Sequence, residues 1–102
     1  MAKQQSLTEV MYDLRCKALA AALRNLNHHV FGSRATDREI HEYVANELGI
    51  HPGVIRSWLR HEGVPREHVA DMLTLLNQHS VWGRHQIHPT RAIAANYLGG
   101  QL

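Results

Sequence analysis

The segment from His41 to Leu59, HEYVANELGIHPGVIRSWL, constrains the fold more than any other part of the chain. Val44, Ala45 and Leu48 fall on one face of a first short helix, and Gly49 follows as the residue best able to take a left-handed turn. Ile50 then enters the core, His51 can cap, and Pro52 suits the first position of a new helix. Val54, Ile55, Trp58 and Leu59 give that second helix its buried face. Turn residues set between two apolar faces predict two helices meeting at a sharp angle.

Ala45, Gly49, Ile55 and Trp58 place a small residue, a turn glycine, and apolar residues six and nine positions beyond it. This pattern resembles the phage-repressor and Cro-like helix-turn-helix family. The continuation GVPREHVADML, Gly63 to Leu73, is similar to the segment after the recognition helix in YdaS-like members, where a proline starts the next helix. The resemblance covers about residues 36–77. It implies a DNA-binding domain whose second motif helix lies in the major groove. The alternative is an ordinary helical hairpin closed by a glycine.

A chain of 102 residues with 44% hydrophobic side chains suits one small domain with one modest core. Disorder is expected only in the first five residues and the last four. No apolar run approaches the roughly 20 residues of a membrane span, and MAKQQSLTEV lacks an apolar signal segment, so a cytoplasmic location without membrane contact is expected. The single cysteine, Cys16, agrees with a reducing compartment and, lying in an apolar helix stripe, reads as packing.

The expected architecture is all-α, a compact bundle of about five helices near residues 7–27, 37–48, 52–61, 65–77 and 89–97, forming a single domain over 1–102. Ser6 or Thr8 caps the first helix, and Thr36 with Glu39 forms a capping box for the second. Pro65 starts the fourth helix, with Val69, Met72, Leu73 and Leu76 inward. Val81, Trp82 and Ile87 anchor the connector, and Ile93, Ala94 and Tyr97 face inward from the last helix.

The first helix carries two apolar stripes. Leu7, Met11, Leu14, Ala18 and Ala22 form one; Tyr12, Cys16, Leu19, Leu23, Leu26 and Val30 form the other. Together they span more than one core-facing face needs, so Leu19, Leu23 and Leu26 are expected to serve a homodimer contact. The alternative is that the C-terminal segment buries both.

The outward set on the second motif helix is His51, Gly53, Arg56, Ser57 and Arg60. His51, Gly53, Arg56 and Ser57 are the candidates for base contact, Arg56 foremost because guanidinium matches the O6 and N7 atoms of guanine. Pro52 and Gly53 stand where repressor-like members carry glutamine or serine. Arg34, Thr36, Arg38, His41, Arg60 and Arg66 are placed for phosphate contact. The formal charge of +2 is small but uneven: Arg15, Lys17, Arg24 and Arg34 lie in a stretch without acids, as do Arg56 and Arg60.

Nine histidines have no strong ligand spacing, the nearest being His85 with His88 and the adjacent His28 and His29, so no metal or other cofactor is expected. Histidines on a DNA-facing surface would instead add charge as the pH falls. No nucleophile stands beside a base in a recognisable motif, which argues against an enzyme. The expected function is that of a sequence-specific transcriptional regulator on double-stranded DNA, acting as a dimer. Its rivals are a protein-interaction module, antitoxin-like or adaptor, and a binder of structured RNA through residues 14–36.

Overall fold

Ser6 holds an extended backbone and its hydroxyl accepts from the Glu9 amide at 3.1 Å, which starts helix α1 (Leu7–Phe31). The computed structural model describes residues 5–99. The expectation of disordered ends lies outside them except at Gln5, which is irregular, and Gly99, which closes the last helix. The fold is all-α. After α1 come α2 (Asp37–Leu48), α3 (Pro52–Arg60), a 3-10 turn (Arg66–His68), α4 (Val69–Leu76), α5 (Arg84–Ile87) and α6 (Arg91–Gly99). Among the described residues six helices thus stand where about five were expected, since one turn of helix forms inside the connector.

Boundaries shift where side chains supply alternatives to the expected stop. Helix α1 continues past Asn27 to Phe31, because the break falls at Gly32, left-handed at φ 61°. The Asn27 side chain meanwhile reaches forward, accepting from the Ala35 amide at 3.1 Å and donating to its carbonyl at 2.9 Å, and so fixes the loop before α2. Pro65 leads into the 3-10 turn rather than directly into α4.

The largest correction concerns Leu19, Leu23 and Leu26, which are 0%, 7% and 0% exposed and cannot form a dimer contact. At about 1.5 Å per residue α1 is long enough to be covered by different partners at its two ends. Its second half packs with Ile40, Val44, Ala45, Ile55, Trp58, Val64, Val69, Met72, Leu76 and Ile87 in the main core. Its first half packs Val10 and Met11 against Ala94, with Leu7, Leu14 and Leu98 alongside. Apart from Tyr12, which stays exposed, the apparent surplus of apolar surface is therefore consumed within one chain.

Other inward assignments also move. On α6, Leu98 turns inward beside Ala94, while Ile93 and Tyr97 are 38% and 44% exposed. In the connector Ile87 is buried and Trp82 half-buried, but Val81 is exposed. Polar bonds do the anchoring there: the Asn77 side chain pairs with the Trp82 backbone at 3.0 and 3.1 Å, and the Trp82 indole donates to Ser80, whose hydroxyl donates to Asn25 on α1. Arg15 closes the far end by donating from Nε to the Pro89 carbonyl at 2.8 Å.

Candidate nucleic-acid interface

Helix α2 begins at a complete capping box. The Thr36 hydroxyl accepts from the Glu39 amide at 3.2 Å, and the Glu39 carboxylate accepts from the Thr36 amide at 3.0 Å. Those bonds from Thr36 hold the Glu39 carboxyl below its usual range. The helix ends at Gly49, φ 70°, where the Ile50 amide reaches back to the Ala45 carbonyl at 2.9 Å. Three residues, Gly49 to His51, then join it to α3.

His51 caps α3 through its ring: Nδ1 accepts from the Gly53 amide at 2.9 Å. Nδ1 is thereby an acceptor, so in the neutral ring the proton sits on Nε2 and the outer edge is a donor. A side chain at position 53 would set its Cβ 3.1 Å from that Nδ1, which gives the glycine a local reason apart from any partner. Ile55 and Trp58 are buried and Leu59 half-buried, whereas Val54 is 36% exposed. At about 100° per residue Val54 lies near the edge of the helix's outer face.

The other end of α3 is held by α1. The Trp58 carbonyl accepts from the Gly63 amide at 2.7 Å and from the Cys16 thiol at 3.3 Å. Burial pushes the thiol's pKa up, which suits a packed thiol rather than a reactive one. The sequence places Gly63 in the turn from His61 to Val64 without indicating how tightly it is held. It is left-handed at φ 73°, and a Cβ there would fall 2.5 Å from the Arg15 Cβ and 2.6 Å from its backbone carbon. Its place in the turn before Pro65 was the available signal.

These supports leave a groove of about 420 Å³ between α2 and the start of α3, lined by Arg38, His41, Glu42, His51, Gly53 and Arg56 together with Pro52. Five of the expected contact residues thus line one concavity. His41 forms its floor, at 9% exposure, and cannot extend to a duplex phosphate as an exposed side chain would. Burial lowers the pKa of its ring, Asp37 opposes that shift and Arg56 adds to it, so His41 leaves the set of histidines that gain charge readily. Glu42, an acid not assigned to the site from the sequence, accepts from Arg38 Nε at 3.1 Å; a position four residues after an arginine on one helix was the signal.

The remaining expected residues are more scattered. Ser57 is exposed on the outer face of α3, and Arg60 is exposed where α3 passes the first turns of α1, near Glu9 and Asp13. Arg34 and Arg66 are exposed on the loop after α1 and on the 3-10 turn and do not line the groove. Thr36 is exposed, but its hydroxyl is engaged with Glu39. Of the basic run at residues 14–36, Arg15 is bonded internally and Lys17 pairs with Asp13 at 3.0 Å. No protein-family model, curated protein or solved structure matches this chain.

Proposed function

We propose that the chain binds double-stranded DNA by placing α3 in the major groove, and that it acts as a sequence-specific transcriptional regulator. One observation carries this reading: the outward face of α3 presents His51, Gly53, Arg56, Ser57 and Arg60 without an acid, opposite the buried Ile55 and Trp58. The Cro-like resemblance of residues 36–77 supports it. Arg56 reads a base edge, assisted by Ser57 and by the Nε2 donor of His51; Gly53 admits close approach, and the exposed Val54 can meet a thymine methyl. Arg38 and Arg60 contact phosphates on either side, with Arg34 and Arg66 further out. The RNA reading loses ground because Arg15 and Lys17 are already engaged.

Selection from random duplexes followed by anisotropy titration tests the proposal. The enriched site should bind with an affinity that falls steeply with salt. Arg56→Ala should cost about 1–3 kcal/mol on that site and relax preference at one base position. Arg38→Ala or Arg60→Ala should weaken all duplexes alike. Two chains on an inverted repeat would set their α3 helices about 34 Å apart, and the mass of the complex reads one chain or two. No enrichment, or wild-type binding by Arg56→Ala, overturns the assignment of this face; salt-insensitive capture of a protein would favour the interaction-module rival.

A further inference from the structure

A cleft of about 320 Å³ opens between α1, the start of α2 and the end of α3, separate from the outward face of α3. Its floor is apolar: Leu23 and Ile40 are 7% and 3% exposed, and Leu59 is half-buried beside them. Arg24 and Asp37 stand at its rim, both exposed. Among the described residues the salt bridges are Lys17 to Asp13 and Arg38 to Glu42, so neither rim charge is spent on an internal ion pair.

His41 supplies the third polar group and forms a wall shared with the α2–α3 groove. It is 9% exposed, yet among the described residues the ring hydrogen bonds belong to His28, His51 and His88. Among the described residues the sealed side-chain atom without a partner is Nδ1 of His68, so the nitrogens of His41 keep an opening. A buried imidazole without an internal partner is costly unless something in the opening bonds to it.

We propose that this cleft binds a small zwitterion with an apolar side chain, an α-amino acid. Its carboxylate would meet Arg24, its ammonium Asp37, and its side chain the floor of Leu23, Ile40 and Leu59, with His41 bonding from below. One cation and one anion over an apolar floor match a neutral zwitterion, whereas a dianion or a dication would meet a like charge. The volume stands at the lower end of small-molecule clefts, which suits an amino acid better than a nucleotide. The wall is built beforehand, since Asn27 already ties the loop preceding α2.

The full chain, without DNA, is titrated with L-leucine and L-phenylalanine while its amide and imidazole NMR signals are followed. Saturable shifts centred on Arg24, Asp37 and His41 are expected. Arg24→Gln and Asp37→Asn alter exposed side chains and should keep the wild-type melting temperature while weakening binding about tenfold each. Leucinamide, lacking the carboxylate, and 4-methylpentanoate, lacking the ammonium, should weaken it comparably. No saturation by about 10 mM, or binding of both analogues as tight as that of leucine, or unchanged affinity in both variants, overturns the proposal. Because no duplex is present, that failure would leave the DNA reading untouched.

Discussion

Gly49 and Gly63 show how differently two turn glycines can be required. At Gly49 the constraint is conformational: φ is 70°, and nothing lies within 4 Å of an added Cβ. Gly49→Val should lower the melting temperature through backbone strain, because a β-branched residue resists that region. At Gly63 a positive φ is joined by a collision with the backbone of α1 at Arg15. Gly63→Ala should therefore cost about 2–4 kcal/mol, more than Gly49→Ala, as strain and overpacking add. Urea unfolding of the two alanine variants checks the order, and equal midpoints would mean that α1 yields at Arg15 without cost. The sequence marked both glycines as turns but gave no sign of the collision, which arises between residues 48 positions apart.

Among the elements, α2 and α3 were the most legible because their signals are local: a capping box, a left-handed glycine and an N-terminal proline each bond within a few residues. Thr36→Ala removes that box and should cost about 1 kcal/mol in thermal unfolding with no change in helix content. Helix α1 was legible as a helix but not in its partners. Periodicity states which residues are apolar, and only the return of α6 onto Val10 and Met11 decides that both stripes, the exposed Tyr12 apart, face partners within the chain. Leu23→Glu consequently should not yield a folded monomer; a charge at a site 7% exposed beneath α2 should abolish the cooperative melt. A folded variant of half the mass would restore the dimer stripe. The same locality divides the site: Arg38, His51, Gly53 and Arg56 are brought together by adjacent elements, while the burial of His41 depends on α1 and α3 closing over α2.

Across the whole molecule, α1 lies along a body 41 × 26 × 25 Å in extent, and a histidine is lodged at two separate seams against it, buried in one and half-buried in the other. His41 sits between α1, α2 and α3; His88 bonds through Nδ1 to the Val64 carbonyl at 2.9 Å, beside Arg15. Burial lowers both pKa values below the ordinary 6.5. For His88, Arg15, Arg84 and Arg66 add to that lowering and the Val64 bond opposes it. The sign of the linkage follows. Well above 6.5 both rings are neutral folded or unfolded, and stability is unaffected by them. As the pH falls below that value the unfolded chain takes up protons that the folded chain refuses, so stability is lost towards the lower folded values. The melting temperature should thus decline between about pH 7.5 and 5.5, before most carboxylates titrate. His88→Gln retains a donor for Val64 without a titrating ring, and should flatten the decline while leaving the neutral-pH melt nearly unchanged. A wild-type melting temperature that holds or rises on acidification would show that neither seam keeps its histidine neutral, and a slope unchanged in His88→Gln would place the acid sensitivity elsewhere.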